Sequence, residues 1–123
     1  MRFSLDFAGT QNVIRAYGEG WVRINDRELR HSVIVMPEQL VTDWPPRIFP
    51  ELDEVHFEWI KKLEPELVLL GTGGRQCFPP PRLIRPLLAS GIGVEIMDTA
   101  AACRTYNIIM AEGRRVAAAL LMI

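Results

Sequence analysis

The sequence predicts an α/β fold: a three-layer single domain with a central mixed sheet, an N-terminal antiparallel β meander and about three helices. Three observations predict it. Short segments of alternating character fill the first third of the chain. Two uncharged apolar runs, Leu67–Leu70 and VAAALLMI from Val116 to Ile123, read as strands covered on both faces. Helical patterns lie between these runs, as in sheets whose parallel strands are joined by crossover helices.

Residues 1–11 read as loosely held. From Asn12, Val13, Arg15 and Tyr17 alternate with Ile14, Ala16 and Gly18. Trp21–Ile24 is a second short strand, Asn25-Asp26 marks a turn, and Glu28–Met36 reads as the third strand of the meander. Pro37 ends it. The polar connection to Pro50 contains Trp44-Pro45-Pro46. Two successive prolines remove two backbone donors and exclude sheet interior. Trp44 is expected to plug a core edge.

Glu51–Leu63 is the strongest helical pattern, with Leu52, Val55, Trp59, Ile60 and Leu63 on one stripe. Pro50 suits a first helical position, acids crowd the first turn and Lys61-Lys62 the last. A second helix is expected within Pro79–Ser90, with Leu83, Leu87 and Leu88 apolar. Pro86 requires either a late start or a kink. Gly91 is a suitable C-terminal cap. Val94–Met97 reads as a strand. Asp98 or Thr99 then caps a helix over Ala100–Met110, which Gly113 ends.

Composition narrows the function. The chain has 123 residues, in line with one domain over 1–123. Its 14 basic and 15 acidic residues give a net charge of −1, so no global field draws nucleic acid. Arg82, Arg85, Arg104, Arg114 and Arg115 lack the interleaved aromatics of a nucleic-acid groove. No apolar stretch reaches about 18 residues, so no membrane-spanning helix is predicted. The N-terminus carries Asp6 and no apolar signal core. A soluble cytoplasmic protein follows from these features, and the two cysteines read as reduced thiols.

The candidate site lies where two loops leave the carboxyl ends of neighbouring strands, the place where open α/β sheets bind ligands. After the first buried strand come Gly71, Thr72, Gly73, Gly74, Arg75 and Gln76. After the second come Asp98 and Thr99, with Asn107 on the helix that follows. A glycine turn can present N–H groups to an anion, and Arg75 adds charge. These nine residues are the candidate binders of a small polar or anionic ligand. The loop is not a Walker motif, because Gln76-Cys77 stand where Lys-Ser would. It is not a dinucleotide fingerprint either, since position 76 is Gln and three prolines delay the helix. No catalytic residue, metal or cofactor is predicted. The Cys and His residues lack zinc spacing, and neither G-x-S-x-G nor H-E-x-x-H occurs. A redox pair of Cys77 and Cys103 would need Cα atoms within about 7 Å.

Several stretches carry a resemblance: Gly71-Thr72-Gly73, Gly91-Ile92-Gly93, Met97-Asp98-Thr99, Ala102, Thr105-Tyr106-Asn107 and Glu112–Val116. Ser32–Val35 and Trp44 extend it towards the N-terminus. The set resembles the Mth-type domain of unknown function, small proteins of bacteria, archaea and mitochondria that include a mitochondrial assembly factor for respiratory complex I. The resemblance implies a three-layer α/β fold with a central mixed sheet and an extra β layer. It carries over no catalytic residues. It implies a protein partner and leans away from enzymatic activity. The expected anchors are the surface of the Glu51–Leu63 helix and the Trp44 segment.

Overall fold

The computed structural model describes residues 11–123. The stretch expected to be loose therefore lies outside the described residues, apart from Gln11. The chain starts with the meander: β1 (Ile14–Gly18), β2 (Trp21–Ile24) and β3 (Arg27–Leu29) pair antiparallel in that order. Asn25, at φ 53°, makes the tight return between β2 and β3, a conformation Asn tolerates better than most residues.

The Glu28–Met36 segment is not one strand. It breaks at Arg30–Ser32, and β4 (Val33–Val35) pairs antiparallel with β8 (Val116–Leu121) in a separate five-stranded sheet. The physical reason is burial. All three residues of β4 are fully buried, so both of its faces need cover, which a meander strand open to solvent does not have. The sheet runs β5 (Leu40–Val41), β4, β8, β6 (Leu67–Thr72), β7 (Gly93–Met97). β6 is parallel to both β7 and β8. The last strand of the chain thus becomes the centre of the sheet, and all six of its residues are buried. β7, expected as a central strand, lies at the edge, because β8 inserts on the opposite side of β6.

Side chains alternate across this sheet into two cores. On one face Ile34, Val68, Leu70, Ala117 and Ala119 meet Phe57, Ile60, Leu83 and Leu87 from helices α1 (Glu54–Lys62) and α2 (Pro81–Ala89). On the other, Val33, Val35, Leu69, Ala118 and Leu120 meet Ala102, Cys103 and Tyr106 of helix α3 (Thr99–Ala111) and Val22, Ile24 and Leu29 of the meander. The alanines keep the middle of the sheet thin, and the helices supply the bulk.

The first helix differs from the pattern. Phe49–Glu51 forms a single 3-10 turn, and α1 begins only at Glu54. Asp53 caps it, accepting from Glu54 N–H at 2.8 Å while its own N–H donates to His56 Nδ1 at 3.0 Å. Since Leu52 precedes the helix, the buried line runs through Phe57 and Ile60, and Val55 is 56% exposed. Trp44 is no surface anchor. It is 3% exposed and its Nε1 donates to the His56 carbonyl at 3.1 Å. α2 does not start late: it runs through Pro86, which leaves the Arg82 carbonyl without its usual helical donor. Leu88, expected on its apolar face, is exposed.

Candidate functional site

The carboxyl ends of β6 and β7 converge as the two loops require, and β8 ends beside them. Asp98 caps α3: its Oδ1 accepts from Ala101 N–H at 2.8 Å. Thr99, the first helical residue, is 2% exposed and faces the end of β6. Its backbone N–H donates to the Gly73 carbonyl at 2.9 Å. Its hydroxyl accepts from Gly73 N–H at 2.8 Å and donates to the Leu121 carbonyl at 2.6 Å. One side chain thus joins the ends of β6 and β8 to the start of α3.

This approach needs a residue without a side chain at position 71. A Cβ there would lie 3.1 Å from Thr99 Cα and 3.0 Å from its Oγ1. Gly73 takes φ 99°, the left-handed region that favours glycine. Thr72 is also buried. Its hydroxyl accepts from Cys77 N–H at 3.1 Å and donates to the Arg75 carbonyl at 2.7 Å, with the Met97 carbonyl at 3.2 Å. Gln76 Nε2 donates to the Ile96 carbonyl at 2.8 Å. Gly71, Thr72, Gly73, Gln76, Asp98 and Thr99 are therefore brought together, and their polar groups largely satisfy one another. Gly74 and Arg75 are exposed on the same turn.

Asn107 does not join them. It lies two turns along α3 and serves β1: its Oδ1 accepts from Ile14 N–H at 3.0 Å and its Nδ2 donates to the Ile14 carbonyl at 2.8 Å. A carboxamide offers a donor and an acceptor side by side, as a strand does, so it docks the meander onto the helix. Tyr106 does similar work, donating to the Asn12 carbonyl at 2.8 Å. Burial pushes its phenol well above the usual range.

The remaining candidates separate. Both cysteines are free. Burial pushes the Cys103 thiol up to about 12, which makes it a core residue rather than a nucleophile. His56 is occupied in the α1 cap, and His31 lies on the break between β3 and β4. Four of the five arginines singled out have partners of their own. Arg82 pairs with Glu54 at 3.3 Å, Arg114 with Glu66 at 3.5 Å, Arg104 donates to the Tyr17 hydroxyl, and Arg115 donates to the Leu63 and Glu64 carbonyls. Two hollows of about 360 and 300 Å³ lie elsewhere, one beside Ser32, Trp44 and Met122 and one beside Lys61, Pro65 and Ile92.

Sequence reasoning passed over Phe78. It is 70% exposed at the far side of the glycine turn. Its signal was present: an aromatic residue directly before Pro79-Pro80-Pro81 sits on a stretch of chain with restricted backbone.

A family model described as "Protein of unknown function (DUF498/DUF598)" matches residues 14–121. Among curated proteins, the chain is 31% identical to the "13 kDa major membrane protein" of Francisella tularensis over 104 residues, 83% of this chain and 84% of that one. It is 32% identical to "NADH dehydrogenase [ubiquinone] 1 alpha subcomplex assembly factor 3" of Bos taurus over 110 residues, 88% of this chain and 59% of that one. The match thus spans about 59% of the bovine relative's length. Among solved structures, one from Bordetella parapertussis superposes with a TM-score of 0.87 at 44% identity, covering 93% of this chain and 98% of that one. A Mth938-like domain from Bordetella pertussis follows with a TM-score of 0.78 at 37% identity, covering 90% and 85%. No helix among the described residues is long and apolar enough to cross a membrane.

The Thr99 junction makes a direct prediction. Thr99→Val keeps the shape but leaves Gly73 N–H and the Leu121 carbonyl unpaired in a buried place. We expect a loss of about 1–3 kcal/mol in urea unfolding with an unchanged slope.

Proposed function

The chain belongs to the family described as protein of unknown function (DUF498/DUF598), and from that premise we propose that it is a non-enzymatic protein-binding domain with an assembly-factor-like role. Phe78 carries the reading. Phe78 is 70% exposed and held out on a stiff loop, where an aromatic side chain can serve as a binding anchor. Thr72 fixes Cys77, Gln76 is tied to β7, and three prolines follow. A preformed anchor loses little entropy when a partner closes over it.

Other exposed apolar residues lie in neighbouring segments. The Glu54–Arg82 ion pair places the start of α1 beside the start of α2. Exposed Val55 follows Glu54, and Phe78 lies just before α2. Relatives named as complex I assembly factors support partner binding by the shared region. A cytoplasmic location is part of the same reading. The test is affinity capture with the native chain and with Phe78→Ser. We expect the variant to keep the native melting temperature, because most of the Phe78 side chain lies in solvent, and to lose a partner that the native chain retains. Identical capture by both chains contradicts the reading.

A second reading keeps a small polar or anionic ligand at the glycine turn beside the start of α3. It is favoured by one observation: the N–H groups of Gly74, Arg75 and Gln76 have no acceptor among the described residues. Inorganic phosphate and small carboxylates are the probes. A ligand at 100 times its dissociation constant should add about 2.7 kcal/mol of stability, and Arg75→Ala should abolish the gain. No gain from any of them leaves the turn purely structural.

A further inference from the structure

Among the described residues no strand pairs with the outer edge of β7, and its backbone groups can be sorted by direction. In a parallel pair, a residue's N–H and C=O point to the same neighbour, and alternate residues point the other way. Gly93 N–H donates to the Glu66 carbonyl at 3.3 Å, towards β6. The Met97 carbonyl lies 3.2 Å from the Thr72 hydroxyl, also on the β6 side. Gly93, Glu95 and Met97 therefore serve β6, and Val94 and Ile96 face outward. Of the four outward groups, the Ile96 carbonyl is taken by Gln76 Nε2 at 2.8 Å. The N–H groups of Val94 and Ile96 and the Val94 carbonyl have no partner among the described residues.

A row of unpaired backbone groups on a strand of this length is a template for another strand. Charge decides what kind. Glu95 is the exposed residue of β7 and makes no ion pair among the described residues. In an antiparallel pairing of two copies, the register that uses both Val94 and Ile96 sets Glu95 opposite Glu95. Like charges directly opposite each other destabilise a strand pair. A second copy is thus a poor occupant, and a strand with a basic residue at that position is a good one. Gln76 ends the open row, and Phe78 follows it by two residues.

We propose that the open edge of β7 receives an extended segment of a partner protein as an added strand, with a lysine or arginine opposite Glu95. This rests on the partner-binding reading above and supplies its mode: backbone hydrogen bonds along β7, with Phe78 at one end.

The probe is a capped heptapeptide with lysine at its centre, valine on both sides and threonine beyond, titrated into the isotopically labelled full chain. The expected result is protection of the Val94 and Ile96 amides from exchange on binding, with a millimolar or better dissociation constant. The glutamate-centred peptide should bind more weakly, by up to about fivefold. Val94→Pro removes one outward donor and no bond to β6, as edge prolines do. It should weaken the lysine peptide by about tenfold. Should that variant not fold, Glu95→Lys, at an exposed position, must instead reverse the preference between the two peptides. No protection of Val94 and Ile96 at about 1 mM lysine peptide overturns the proposal. So does binding that Val94→Pro or Glu95→Lys leaves unchanged. A partner lost from Phe78→Ser but kept by Val94→Pro refutes the added strand and leaves the binding domain standing. A chain with no Phe78-dependent partner refutes the binding reading itself.

Discussion

The C-terminal half is built around one buried hydroxyl. Thr99 must accept from Gly73 and donate to Leu121 at the same time, and both bonds have good length. They require the ends of β6, β8 and α3 to meet at one point. That in turn requires glycine at position 71, where any Cβ would press on the Thr99 backbone. A buried polar group is costly unless satisfied and orienting when it is, so this contact selects one arrangement of three elements. The first buried strand, the crossover through α2 and the insertion of β8 all have to agree with it.

The same arrangement determines what is left for function. The hydroxyls of Thr72 and Thr99 are spent on this junction rather than turned outward. The glycine turn instead acts as a bracket. It fixes the loop through Thr72 and Gln76 and delivers Phe78 to the surface before the prolines. The bracket also reaches across to β7 and covers one carbonyl of its edge. Presentation of backbone and an aromatic side chain suits recognition of another chain more than chemistry on a small substrate. This is consistent with relatives named as assembly factors.

Much of the fold was legible in the sequence because burial on two faces leaves an unmistakable mark. The uncharged run over Val116–Leu121 is the centre of the sheet, and Leu67–Leu70 is its parallel neighbour. The Asp98 cap was legible because few residues can satisfy a helix start. What escaped depended on partners distant in sequence. Nothing local says that Val33–Val35 abandons the meander for a strand more than eighty residues later. The 3-10 turn before α1 shifted the helical stripe, and that exchanged Val55 for Phe57. Asn107 was expected at the glycine turn, but its partner, Ile14, is separated from it by 93 positions. The edge position of β7 follows from where β8 inserts, and the exposed Glu95 in its middle is its one local sign.

The central claim is that the Thr99 hydroxyl holds the strand ends together as one rigid junction. Native-state amide exchange tests it most directly, through two consecutive glycines. Gly73 N–H is buried against Thr99, whereas Gly74 N–H has no acceptor among the described residues. The account predicts that Gly73 exchanges only with global unfolding, as slowly as the amides of β8, while Gly74 exchanges like an open loop. Equal, fast exchange at both glycines would contradict it.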